Sequence, residues 1–268
     1  MSASATTPRG AAPTAGRVSF PATARVLVQL AWARTRSPVL LLGIGVLVLL
    51  PMFFAVVFAS RGVLSGDPVE FLVRRYDELV CALATPLIAL LFGTSAFSAE
   101  ADDGTLLYLV TTTTPRWWIV AVRTLFASVL TGAVSAFAVW GTGAIAVGSS
   151  DPEHITSAFT LAVFYGGATY AALFTALALL TRRALVSGLV YVIFWEGVLS
   201  GTFPALQYLS VRQWMLAVAA EFTDASDARL TSGPSVWFAL GASVVLVLFT
   251  VYVGGRRLHQ PRIGRVGT

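Results

Sequence analysis

Apolar residues in this chain run in long blocks broken by short polar stretches, a pattern unlike the one-faced stripes of a soluble protein. Six blocks have about the 20 residues that a helix needs to cross a bilayer: 39–59, 79–98, 117–147, 155–180, 185–203 and 236–253. The third is overlong, which predicts tilt or projection past the headgroups. Pro51 and Pro86 fall inside two of the spans, where neighbouring helices can cover the carbonyls that a kink frees. Ahead of the first span, residues 22–36 predict an amphipathic helix lying on the membrane surface. Arg25, Gln29, Trp32 and Arg36 form its polar and interfacial stripe, and Val26, Leu27, Leu30 and Ala31 form the apolar side. Ser37-Pro38 interrupts it.

Two connections are more than brief turns. Residues 60–78 carry mixed charge. Residues 204–235 are semi-apolar, with Pro204, Leu206, Tyr208, Leu209, Trp214, Met215 and Leu216, and are expected to dip back into the outer leaflet as short helices. Residues 1–21 are rich in Ser, Ala, Thr, Pro and Gly and read as a disordered cytosolic tail. No signal-peptide pattern is found there. Residues 258–268 read as a second cytosolic tail, leaving 22–257 as one membrane domain.

Composition agrees with the pattern. Of 268 residues, 56% are hydrophobic and 12% charged, too apolar a balance for a soluble domain. The positive charge is all arginine, 18 residues with no lysine. Six spans with both termini in the cytosol put 13 of these inside and five (Arg61, Arg74, Arg75, Arg212 and Arg229) outside. That asymmetry predicts cytosolic termini, and the expected location is the plasma membrane. A pI near 9.9 would fit a nucleic-acid binder, but these arginines hug span ends, so no nucleic-acid partner is expected.

Several chemistries are excluded. Without lysine there is no phosphate-binding loop ending in Gly-Lys-Ser/Thr and no Schiff base. His154 and His259 fall in an outer loop and a tail, away from any intramembrane nucleophile. The single Cys81 reads as a small apolar residue near the outer end of the second span. No metal, cofactor or catalytic residue is expected, and the chain is not an enzyme on this reading. Asp77-Glu78 resembles a carboxylate pair, but adjacent helical residues do not face each other. A solvated face is the expectation there.

Residues 96–118 carry the densest signal: Ala-Phe-Ser-Ala-Glu100-Ala-Asp102-Asp103-Gly104-Thr105-Leu106-Leu-Tyr-Leu109, then Thr-Pro115-Arg116-Trp-Trp. This charged, amphipathic segment sits where two membrane helices turn back, and so predicts a docking surface for a partner outside the bilayer. Glu100 near a helix start favours the helix dipole. Gly104 allows close backbone approach.

The other candidate is Glu196, in Phe194-Trp195-Glu196-Gly197 within the fifth span. A carboxylate at such a depth costs about 2.5–3.5 kcal/mol on insertion scales, so it must face protein, water or a ligand. No basic residue is expected at its depth. Thr169, Tyr170 or Thr175 are expected hydrogen-bond neighbours. Two readings stand side by side: Glu196, Trp195 and Tyr170 line a translocation path or gate, or Glu196 clamps helices together. Gly141, Gly143, Gly166, Gly167, Gly197 and Gly201 predict close helix approach within the subunit.

These features together resemble the permease subunits of the ABC type-2 exporter superfamily over about residues 22–257. The resemblance rests on Ser98-Ala-Glu100 through Gly104-Thr105-Leu106-x-x-Leu109 and Pro115-Arg116. Phe194–Gly197 and Leu209-Ser210-Val-Arg212 reinforce it. It departs at the bulky Trp117-Trp118. The resemblance implies an all-α, six-span membrane protein in which residues 99–113 form a cytosolic coupling helix. Glu100, Asp102, Asp103, Gly104, Thr105, Leu106 and Leu109 would then dock on a separate ATPase subunit that binds ATP and Mg. A second permease chain, as homo- or heterodimer, would complete a path for an amphipathic small molecule or lipid. The alternatives from other classes are a membrane scaffold without transport and an ion-coupled carrier using Glu196.

Overall fold

In the computed structural model, the structure describes residues 37–61, 66–102, 115–181, 183–199, 204–225 and 233–257, with Arg25, Val28, Gln29, Trp32 and Leu230 besides. Those residues are helical or connecting, with no strand among them. The helices are α1 (Pro38–Arg61), α2 (Pro68–Arg75), α3 (Thr85–Asp102), α4 (Arg116–Val147) and α5 (Ile155–Leu180). After these come α6 (Ala184–Val190), the four-residue α7 (Pro204–Gln207), α8 (Val211–Phe222) and α9 (Val236–Arg257). Two π-helical segments are spliced in. Tyr76–Ala84 joins α2 to α3, and Tyr191–Leu199 continues α6. The first ends just before Thr85-Pro86. A proline ring clashes with the carbonyl four residues back in a regular α-turn, and the widened turn relieves that clash.

α5 is the hub. It packs on α4, α3, α8 and α9 and carries buried residues from Ile155 to Ala176. Small residues bring its neighbours close: a Cβ on Gly167 would lie 3.1 Å from Cα of Gly132 on α4. Polar side chains tie helices across the core. Tyr76 donates to the Val139 carbonyl at 3.1 Å and lies 3.3 Å from Thr156 Oγ1. Tyr165 donates to the Ala239 carbonyl at 2.6 Å, and Thr250 to that of Ala172 at 3.1 Å. By contrast, α1 buries only one stripe, Ile44, Val48, Pro51 and Ala55. Its outward Leu41, Leu42, Val46, Leu49 and Phe53 are exposed, as a lipid-facing surface requires.

Among the described residues, five helical stretches are long and apolar enough to cross a membrane: Pro38–Arg61, Pro68–Ser95, Trp117–Val147, Pro152–Leu180 and Val236–Arg256. The protein is therefore a helical membrane protein of multi-pass type. Two expectations are corrected. The fifth span, 185–203, is described only as the apolar helix Ala184–Val198, with 200–203 outside the described residues. Beyond Gln207 the chain re-enters the bundle as α8, whose residues from Val211 to Ala219 are buried except for Arg212. The second correction is at 60–78. Most of that stretch is α2 and the start of the π segment, so the second span begins at Pro68 and not at 79. Asp67 starts it, its carboxylate accepting from the Val69 amide at 3.0 Å with Pro68 at the first helical position.

Arg25, Val28, Gln29 and Trp32 are helical and exposed. The rest of the expected surface helix, and the tails 1–21 and 258–268, lie outside the described residues.

Candidate functional site

The interior polar cluster is assembled at the first turn of α8. Glu196 is fully buried, at 0% exposure. Its Oε1 accepts from Tyr191 Oη at 3.0 Å and from the Val211 amide at 3.0 Å. Its Oε2 accepts from Ser210 Oγ at 2.5 Å. Ser210 is the N-cap of α8 and in turn accepts from the Gln213 amide at 3.3 Å. Three donors thus converge on one carboxyl group at the positive end of a helix, an arrangement suited to a negative charge.

The next residue of α8 makes a second anchor. Arg212 Nε and Nη2 donate to Asp77 Oδ1 and Oδ2 at 2.8 and 2.9 Å. Such a fork is the strongest geometry open to an ion pair. Burial by itself would lower the Arg212 pKa, but the bonds and charge of Asp77 outweigh it and push it up. Asp77 is 4% exposed, which corrects the expectation of a solvated Asp77-Glu78 face. Only Glu78 is half-exposed, pairing with Arg74 at 3.1 Å and Arg75 at 3.8 Å. The error has a plain cause: the counter-ion lies 135 residues away in sequence. Arg212 also brings a basic residue to the turn that caps Glu196, where none was expected.

The two anchors form one neighbourhood. Tyr170 lies close enough to interact electrostatically with Glu196, Tyr191 and Cys81. Arg212 interacts likewise with Cys81 and Tyr170. Rings continue the cluster: Tyr170 stacks on Phe174, Phe174 meets Tyr191 edge-on, and Tyr191 stacks on Trp195. Two indoles satisfy the turn before α8. Trp195 donates to the Leu209 carbonyl at 3.2 Å and Trp214 to that of Tyr208 at 2.9 Å. At its far end α8 is tied to the turn before α5. The Glu153 carbonyl accepts from the Asp224 amide at 3.0 Å and from Thr223 Oγ1 at 2.8 Å. Presenting that carbonyl puts Glu153 and His154 at φ 52° and 56°, a left-handed conformation costing about 1–2 kcal/mol per residue.

Of the residues read as path or gate, Glu196 and Tyr170 are fully buried while Trp195 is half-buried. All three share this cluster. Of the three expected hydrogen-bond neighbours of Glu196, only Tyr170 is beside it, and its buried hydroxyl makes no hydrogen bond. Thr169 bonds instead to the Tyr165 carbonyl at 3.0 Å and to Ser243 at 3.2 Å, and Thr175 Oγ1 is buried without a hydrogen bond. Sequence reasoning missed Tyr191, five residues before Glu196, and gave Ser210 and Arg212 no role. An arginine amid the apolar residues of 204–220 was the available signal.

Glu100 and Asp102 lie in the last turn of α3, which corrects the expectation that Glu100 stands near a helix start. Asp103, Gly104, Thr105, Leu106 and Leu109 lie outside the described residues, as does Gly201. Gly197 is exposed with no neighbouring helix within 4 Å, so the expected packing within the subunit is absent there. Among the described residues, no group of three His, Cys, Asp or Glu side chains is placed to hold a metal ion. No protein-family model matches the chain, and no curated protein matches it.

Proposed function

We propose that this chain is the membrane subunit of an ATP-driven exporter of the ABC type-2 kind, with ATP and Mg bound on a separate ATPase chain. The observation that carries the reading is the buried carboxylate of the fifth apolar run. Glu196, near the end of the described helix 184–199, receives the first turn of α8, a helix that re-enters the bundle. Discontinuous helices meeting at buried charge are how transport proteins place polar groups at membrane depth. Charge retained inside a bundle of this kind points to function ahead of stability. The charged 96–118 segment supplies the second support, since acidic residues between two apolar spans suit a soluble partner. On this reading Glu100, Asp102, Asp103, Gly104, Thr105, Leu106 and Leu109 form the coupling surface, both termini are cytosolic, and a second permease chain completes the path. The cargo is an amphipathic small molecule or lipid.

Purification of the full chain from its native membrane tests the reading. An ATPase subunit should co-purify with the wild type and be lost with Gly104→Trp, while the membrane domain keeps its melting temperature. Purification without any ATPase would favour the scaffold alternative. A specific observation favours the clamp reading of Glu196: its carboxylate accepts from Ser210 and Val211 and so joins its own helix to the first turn of α8.

A further inference from the structure

Helix α8 is held by polar bonds concentrated at its two ends. Glu196 and Asp77 grip Ser210, Val211 and Arg212 at the buried end. The Glu153 carbonyl holds Thr223 and Asp224 at the other. Between them Met215 fills a notch over Gly166, where a Cβ would lie 1.8 Å from its Sδ. An unbranched thioether is the apolar side chain best able to slide from such a notch and repack.

Stability alone does not account for the two acids. A buried ion pair is often no better than apolar side chains of equal volume. Each acid also lies on a π-helical segment, Asp77 in Tyr76–Ala84 and Glu196 in Tyr191–Leu199, and such segments gather at functional sites. Directional bonds to a buried carboxylate are either made or replaced by water, which favours two discrete arrangements over a continuum.

We propose that α8 is a latch. Asp77 and Glu196 hold its first turn in the closed bundle. Their joint release lets α8 leave α5 as a unit, admits water to both carboxylates and uncovers Cys81 and Tyr170. The latch does not depend on which partner drives the protein.

Cys81, the single cysteine and fully buried, reports on it directly. The full chain in native-membrane vesicles is treated with iodoacetamide and the alkylation rate of Cys81 followed. Asp77→Asn and Glu196→Gln should each raise that rate about tenfold, the effect of weakening one charge-assisted bond. The Glu196 variant is the sharper arm, because it must act on Cys81 through α8. A control cysteine at Ala138, a buried position on α4, in a Cys81→Ser background should stay protected in both. Unchanged Cys81 labelling in Glu196→Gln, or equal exposure of the control, overturns the latch. Hydrogen exchange of the wild type in nanodiscs tests it without substitution. Amides of 211–222 should exchange as one group and faster than those of 155–180, and equal protection of the two overturns the proposal.

Discussion

Arg212 clamps Asp77 through two parallel bonds, Nε to Oδ1 at 2.8 Å and Nη2 to Oδ2 at 2.9 Å, fixing α8 to the π segment between α2 and α3. Removing one partner leaves the other charge buried and uncompensated. Asp77→Leu and Arg212→Leu should therefore each lower stability by about 3–5 kcal/mol. The double variant Asp77→Leu with Arg212→Met should recover most of that loss. Thermal unfolding in detergent checks the order, and a double variant no more stable than either single would contradict it.

Glu196 separates charge from shape. Glu196→Gln keeps an acceptor for the Val211 amide, and the Tyr191 and Ser210 hydroxyls can turn to meet the new amide group. Glu196→Leu strands two buried donors, Ser210 and the Val211 amide, at about 1–3 kcal/mol each, and the part-buried Tyr191 hydroxyl besides. The leucine variant should melt several degrees below the glutamine variant. If Glu196 also serves a path, export in vesicles falls already in Glu196→Gln while its melting temperature holds. Full export and stability in Glu196→Leu would remove the residue from both roles.

The seat of α8 on α5 depends on a missing side chain. Gly166→Ala would place a methyl group 1.8 Å from Met215 Sδ and 2.1 Å from its Cγ, so Met215 must shift. The cost should be about 1–3 kcal/mol, the range for overpacking a core. Met215→Ala should be destabilising alone yet partly rescue Gly166→Ala. Additive losses, measured by a double-mutant cycle on melting temperature, would show that the two do not share the notch.

Asp151 sets a pH limit at the start of α5. Burial tends to raise its pKa, but bonds from the Thr156 and Ser157 amides, at 2.8 and 3.0 Å, outweigh that and hold it below its ordinary value. Because the folded pKa is depressed, the stabilisation is complete above the unfolded carboxylate range. It is lost as pH falls through the folded value, below about pH 4. Asp151→Asn should be less stable than wild type near neutrality, and the gap should narrow under acid. Melting curves across that range decide it, and a gap that ignores pH would count against the carboxylate.

How much was legible in the sequence follows how locally each feature is encoded. Arg116–Val147 and Ile155–Leu180 match their apolar runs within a residue, because burial in a membrane is read residue by residue along one segment. Asp77 was read as solvated because its own neighbours are charged, and its counter-ion belongs to a helix remote in sequence. The run 185–203 is apolar enough to span. That Glu196 within it meets the first turn of α8 depends on a segment beyond the run.

Hydrophobic run length by itself determined that this is a multi-pass chain, helical among its described residues, where most of those helices lie, and that Glu196 required an internal partner. Those conclusions need only transfer free energies, which each residue carries wherever it goes. Tertiary structure alone decided that the partner is the first turn of α8, that Asp77 is buried against Arg212, and that Met215 sits over Gly166. Hydrogen bonds and packing notches are pairwise and directional, so they exist only once distant segments are brought together.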